Sequence, residues 1–288
     1  MSWRTIVITS SAKLDYSMGY MVVRRDTVQK IHINEIHTVI IETTAVSITA
    51  TLLAELIKHK VKVIFCDEKR NPSSELIPYY GSHDSSSKVR NQIEWSKDIK
   101  TAVWTEIVSE KIRNQMRILQ KFEKSEYEIL QEYVKNIEFG DTTNREGHAA
   151  KVYFNALFGK DFSRSADCNI NAALNYGYSI ILSTFTREIC VNGYITQLGL
   201  FHDNMFNHFN LASDLMEPFR TLVDFKVKTL NIDKFEFEEK MELVNILNNE
   251  VIINGKHEYV SNAIKIYTRS IFDALEENDV SQIKFYEL

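Results

Sequence analysis

A chain of 288 residues can bury a full hydrophobic core and divides most simply into two domains, one small and one larger. Its 44% hydrophobic and 25% charged content is ordinary for a soluble globular protein, and 9 Gly with 3 Pro leave little room for long linkers or disordered tails. The formal net charge of −5 speaks against a simple polycationic nucleic-acid binder, because affinity for DNA rests largely on Lys and Arg displacing counterions from phosphates.

Three cysteines, Cys66, Cys168 and Cys190, are widely spaced in apolar surroundings and read as reduced core residues, not as a disulfide frame or zinc site. The opening Met-Ser-Trp-Arg-Thr-Ile-Val-Ile is strand-like and has no signal-peptide pattern. No run approaches the roughly 20 apolar residues that span a bilayer. A cytoplasmic protein with no membrane contact is expected.

The first 80 residues read as strands at 4–9, 19–24, 27–33, 37–42 and 61–65, rich in β-branched residues and bounded by polar turns. One helix interrupts them over 47–58, with apolar residues at 48, 52, 53, 56 and 57 behind Ser47 as its cap. Gly81-Ser-His-Asp-Ser-Ser-Ser87 is the most polar stretch and reads as a linker. Beyond it the pattern turns helical, first as one long amphipathic helix or two in tandem through Trp95, Ile99, Trp104, Ile112 and Leu119. Further helices are expected over 126–137, from Thr143 or Asn144, over 168–191 as the central buried helix, over 234–249 and over 257–275. The fold class is thus α+β: a small β-rich domain over 1–80, a linker over 81–87 and a larger all-α domain over 88–288. Asn169, Asn171, Asn175 and Tyr176 are polar guests in the central helix, where they either fix the backbone around a site or tie helices together.

Charge is unevenly spread. Between Ser86 and Lys124 nine basic residues face five acidic ones, so a basic face or a merely solvated helix surface is possible.

Two stretches carry chemistry. His202 closes an apolar run, and on the amphipathic segment that follows Asp214 and Glu217 stand three apart, on one face if the segment is helical. Glu146 lies in Asn144-Arg-Glu-Gly-His. Two carboxylates that close call for a cation, either a divalent metal or a side chain such as Arg220. Glu146 and Glu217 also fit helix caps, so the spacing alone leaves both readings open. The adjacent His202-Asp203 pair allows an HD-type metal phosphohydrolase acting on nucleotides, and caps without metal would leave a helical DNA-binding or scaffold protein. No glycine-rich phosphate loop, Walker lysine, nucleophile elbow or CxxC motif is present.

Arg145-Glu-Gly-His-Ala-Ala-Lys-Val-Tyr-Phe154, Gly193-Tyr-Ile-Thr-Gln-Leu-Gly-Leu-Phe-His202 and Asp214-Leu-Met-Glu-Pro-Phe-Arg220, together with Ala173-Leu-Asn-Tyr-Gly-Tyr178, resemble in order the signature blocks of the CRISPR-associated spacer integrases, the Cas-one family. The resemblance implies a divalent metal, Mg²⁺ or Mn²⁺, held by Glu146, His202 and Glu217, with Asp214 a further ligand or an outer partner. It also implies a helical catalytic domain that joins captured DNA fragments into a CRISPR repeat, with DNA endonuclease activity from the same site. A homodimer built through the β-rich domains and a Cas-two partner protein are expected, along with other adaptation or effector proteins. The Asp214 block and compact length look most like the branch that accompanies single-protein RNA-guided effectors. Removing any one of the three ligands is expected to cost catalysis more than packing.

Overall fold

The computed structural model describes residues 4–68, 70–78 and 82–287. These fall into two compact units, Met1–Gly81 and Ser82–Leu288.

The first unit runs β1 (Arg4–Ile8), β2 (Ala12–Ser17), β3 (Tyr20–Arg24), β4 (Val28–His32), β5 (Ile36–Ile41), β6 (Val46–Ile48), α1 (Ala50–Lys58), β7 (Lys62–Cys66) and β8 (Pro72–Leu76). Its strands form two four-stranded sheets, ordered β1-β5-β7-β8 and β4-β3-β2-β6. β5 is buried along its whole length because it lies between two parallel neighbours, β1 and β7, which is why Ile36, Val39, Ile40 and Ile41 follow one another so closely. Leu14, Met21, Val23, Leu52, Leu56 and Val63 share the core of this unit.

Three strands here were not expected. β2 alternates Ala12 and Leu14 inward with Lys13 outward, too sparse an apolar signal to stand out. β6 is only three residues long, and β8 is an edge strand of Pro72-Ser-Ser-Glu-Leu whose polar face and proline look like a loop. The cap of α1 is also corrected. Ser47 lies in β6, and Thr49 does the capping, its hydroxyl accepting from the Leu52 N–H at 3.3 Å.

The second unit opens with α2 (Ser85–Glu94) and α3 (Lys97–Lys121), followed by α4 (Tyr127–Lys135), α5 (Arg145–Phe158), α6 (Asn169–Val191), α7 (Asn210–Leu215), α8 (Arg220–Leu230) and α9 (Phe237–Val244). Of the expected 81–87 linker, Gly81 lies outside the described residues. Ser85 to Ser87 form the first turn of α2, a correction whose cause is local: the Ser85 hydroxyl donates to the Ser82 carbonyl at 2.7 Å, while Ser82 donates to Asp84, so these polar residues start a helix. The tandem reading of the next segment holds, since the helix breaks after Glu94 and Ser96, itself extended, caps α3 with its hydroxyl by accepting from Ile99 N–H at 3.2 Å.

α6 is the central helix, buried over most of its length and packed against α8, α9 and α10 (Val260–Glu277). The all-α expectation is corrected by a three-stranded sheet in which β9 (Glu250–Ile253) pairs with both β10 (Lys256–Tyr259) and β11 (Tyr286–Glu287). Asn254 and Gly255, at φ 53° and 69°, make the two-residue turn between β9 and β10 that needs positive φ at both positions. The acidic helix is therefore shorter than 234–249, and α10 starts at Val260 because 256–259 belong to the sheet. Among the described residues, no helix is long and apolar enough to cross a membrane.

Candidate functional site

α3 packs its apolar stripe inward through Ile107, Val108 and Ile112, and Lys111 lies on that same stripe, buried. Two carboxylates meet its ammonium. One comes from the first turn of α5. Here Asn144, in the left-handed conformation at φ 52°, caps the helix by accepting from Gly147 N–H at 3.3 Å, while the Asp141 carboxylate accepts from Arg145 N–H at 2.7 Å and Glu146 N–H at 3.0 Å. The free N–H groups of the helix start are thus satisfied without Glu146, whose carboxylate pairs with Lys111 instead.

The other carboxylate is Glu217. It opens a short 3₁₀ turn, Glu217–Phe219, that follows α7 directly, and it is only 5% exposed. Its Oε2 pairs with Lys111, and its Oε1 accepts from Arg220 Nε at 2.9 Å. Burial pushes the Glu217 carboxyl up, but Arg220 and Lys111 outweigh it and bring it down to about 2. Burial likewise works against the Lys111 ammonium, and Glu217 with Glu146 overcome it and hold its pKa above the ordinary value.

His202 sits in a loop organised by Asp214. That carboxylate is wholly buried and accepts four times: from Leu200 N–H at 2.6 Å and Phe201 N–H at 3.1 Å on Oδ2, and from His202 N–H at 3.2 Å and the His202 ring Nδ1 at 2.5 Å on Oδ1. With its lone pairs committed, Asp214 is an orienting partner of the imidazole, and Nε2 of His202 has no partner among the described residues. Gly199 makes the wrap possible, because a Cβ there would stand 2.3 Å from the His202 carbonyl oxygen and 2.7 Å from Asp214 Oδ2. Trp104 of α3 steadies the other side of the loop, stacking flat on Phe201 at 4.5 Å and meeting the His202 ring edge-on at 5.8 Å.

Glu146 and Glu217 are therefore brought together on one ammonium, whereas His202 is held separately by Asp214 and feels Glu217 only through its charge. Among the described residues, no three His, Cys, Asp or Glu side chains converge as a metal-binding cluster. Asp203 is exposed beside His202 and joins none of these contacts. The basic stretch of α2 and α3 is also partly spent: Lys111 is buried in the site, and Arg113 and Arg117 hold Glu110 at 3.2 and 2.7 Å.

The sequence model described as CRISPR associated protein Cas1 matches residues 5–253. The chain belongs to that family. It is 31% identical over 295 aligned positions to a protein of Neisseria meningitidis serogroup C (strain 8013) named CRISPR-associated endonuclease Cas1, covering 100% of this chain and 97% of that one. A structure titled casposase bound to integration product has a TM-score of 0.78 at 19% identity, covering 97% of this chain and 92% of the casposase. A chain of a Cas6-RT-Cas1–Cas2 complex gives a TM-score of 0.75 at 20% identity, with 97% of this chain but 36% of the other covered. At these identities the structural likeness concerns the fold.

Lys111 and Trp104 are site residues that motif reading passes over. So is a buried layer behind Arg220, where the Tyr178 hydroxyl donates to Asp224 and the Arg220 guanidinium lies 4.8 Å from the Tyr178 ring centre. Burial lifts the Asp224 carboxyl to about 6 against the hydrogen bond from Tyr178 that lowers it.

The His202–Asp214 pair gives a pH signature. The Asp214 hydrogen bond raises the imidazole above its usual 6.5, against burial that lowers it. A folded pKa above the unfolded one means that the stabilisation is complete below pH 6.5 and fades as pH rises through the raised value. The melting temperature of His202→Gln should therefore fall furthest below the parent's in mildly acidic buffer and approach it in alkaline buffer. A gap that stays constant with pH would show that the pair does not ionise in this way.

Proposed function

We propose that this Cas1 protein is a metal-dependent DNA integrase of CRISPR adaptation, inserting captured DNA fragments as new spacers, with DNA endonuclease activity at the same site. The observation that carries the reading is the junction of Glu146 and Glu217 on one buried cation, with an open imidazole nitrogen presented by the neighbouring loop. Glu146, His202 and Glu217 would hold Mg²⁺ or Mn²⁺. This donor set is rich in hard carboxylate oxygen and free of thiolate, which favours those ions over softer metals. When bound, such an ion polarises a phosphoryl oxygen and lowers the pKa of a hydroxyl at its side.

The chain's own residues prepare for that chemistry. Lys111 and Arg220 supply the positive charge that lets two carboxylates lie together in a desolvated place. Asp214 holds Nδ1 of His202, which leaves Nε2 of the neutral ring as the acceptor. No activated serine, cysteine or lysine nucleophile is needed. The similar Cas6-RT-Cas1–Cas2 complex supports a Cas2 partner here, and a homodimer is the assembly in which we expect two such sites to work.

The test is a joining assay. The parent protein with Cas2 and Mn²⁺ or Mg²⁺ should attach short duplexes to a repeat-bearing plasmid, and EDTA or Glu146→Gln should stop it. Joining that survives both would remove the metal reading. A companion prediction concerns Asp203→Ala, which should keep joining near the parent's rate and retain bound Mn²⁺, since that side chain is exposed and outside the cluster. Loss of both in Asp203→Ala alone would transfer the assignment to an HD-type phosphohydrolase.

A further inference from the structure

Arg164 is held as if for an anion that the protein itself does not provide. Its guanidinium donates to two neutral amide oxygens of α6, Asn171 Oδ1 and Asn175 Oδ1, the second at 2.7 Å. It also lies against two aromatic rings, 5.8 Å from the centre of Phe154 and 5.4 Å from that of Tyr178. The segment that carries it is pinned in turn, because Asn171 Nδ2 donates to the Ser163 and Ala166 carbonyls at 2.8 and 2.7 Å. Amide oxygens and ring faces fix the plane of the fork but neutralise none of its charge.

Four other arginines of this unit are spent on carboxylates, Arg220 on Glu217, Arg187 on Glu188, and Arg113 with Arg117 on Glu110, while Arg90, Arg145 and Arg269 form no ion pair among the described residues but lack the two amide acceptors that fix Arg164. Arg164 has no ion pair among the described residues. It also shares the Tyr178 ring with Arg220, so two guanidinium groups lie near one ring and only one of them is matched by an acid. Two like charges so placed repel, which makes an incoming anion favourable. A guanidinium already fixed in direction loses little freedom when it takes a phosphate through two parallel N–H bonds.

We infer that Arg164, aimed by Asn171 and Asn175, is a binding site for a backbone phosphate of the DNA substrate, one aromatic ring away from the Glu217 cluster. The inference rests on the proposed DNA-joining function and adds a phosphate subsite to it. Asn171 and Asn175 are then positioning residues that orient the fork without touching DNA.

The experiment measures binding of a fluorescent duplex with single-stranded 3′ ends to the full chain with Cas2 across a salt series. Arg164→Gln should weaken binding about tenfold or more and reduce the log–log salt slope by about 0.9, or about 0.7 if the phosphate lies in a single strand. Arg164→Lys should keep the slope. Asn175→Asp puts a carboxylate beside the guanidinium at an exposed position, so it should reproduce the loss of slope without loss of melting temperature, and should have no further effect in the Arg164→Gln background. A tie that merely anchors the 163–166 segment predicts the opposite, with unchanged slopes in all three variants, and that result would overturn the inference while leaving the joining function in place. If the parent with Cas2 binds no DNA at any salt concentration, the joining function falls and takes the inference with it.

Discussion

Glu217→Ala is expected to abolish DNA joining and to lower the melting temperature on the order of 10 °C, which sets it apart from the other two proposed ligands. The reason is the company it keeps. Glu217 faces Lys111 on one oxygen and Arg220 on the other, and without it the buried Lys111 would keep Glu146 alone while Arg220 would lose its ion pair. Breaking a buried pair by removing one partner costs roughly 3–5 kcal/mol, because the charge left behind is neither solvated nor matched. The drop of the Glu217 carboxyl from its usual 4.5 to about 2 gives a similar figure, about 3 kcal/mol. Since the folded pKa lies below the unfolded one, this contribution is present above pH 4.5 and disappears as pH falls through about 2. Glu146, with its side chain 29% exposed, can rehydrate its surroundings when removed, so Glu146→Ala should lose joining while melting close to the parent. Scanning calorimetry of the two variants at neutral pH checks the contrast. Equal melting temperatures would mean that Glu217 is not the buried counter-ion of Lys111 and Arg220.

The sequence alone leads to the expectation that losing any one of the three ligands costs catalysis more than packing, and it is the burial of Glu217 between Lys111 and Arg220 that sets this residue apart. The three blocks bearing Glu146, His202 and Glu217 are legible because each joins an unusual polar residue to a strongly apolar run. Lys111 was legible too, though by a different signal. It occupies an inward position of the α3 stripe between Val108 and Ile112, and a lysine there must either break the helix face or have carboxylates waiting for it. Counted only as one member of a basic stretch, it looks like surface. Asp214 is harder. Its place three residues before Glu217 suggests a shared metal, but the loop from Gly199 to His202 folds back over it and uses all its acceptor capacity, a long-range closure with no local pattern. In the fold, β5 and β7 announce themselves through β-branched runs. The Asn254-Gly255 turn is as strong a hairpin signal as any in the chain, and the acidic residues that precede it draw the eye toward a longer helix. β8 shows a real limit, since an edge strand made of Pro, Ser and Glu is built to resemble a loop.

The second large effect concerns the attacking group, where a joining enzyme and an ordinary nuclease part company. The proposed site contains acids, an imidazole, Lys111 and Arg220, and both cations are engaged by carboxylates, so no side chain in it is poised as a nucleophile. The attacker is then an external hydroxyl, either water or the 3′ end of a DNA fragment. A divalent ion at Glu146, His202 and Glu217 would activate both alike, and the choice rests on position. A 3′-hydroxyl held beside the target phosphate by contacts along its own strand gains an effective concentration that bulk water lacks, on the order of 10⁵ to 10⁸ M in well-oriented systems. Transesterification also conserves the number of phosphodiester bonds: the fragment oxygen forms a new bond to phosphorus as the repeat's 3′-oxygen leaves and takes up a proton. With Cas2 and Mn²⁺ or Mg²⁺ present, fragments ending in a 3′-hydroxyl should become covalently joined to the repeat-bearing plasmid, whereas fragments ending in a 3′-dideoxy sugar should give no joined product. The measurement is the appearance of labelled fragment on the plasmid in a denaturing gel. Equal plasmid cleavage with both fragments, and label on neither product, would make water the working nucleophile and reduce the enzyme to a nuclease.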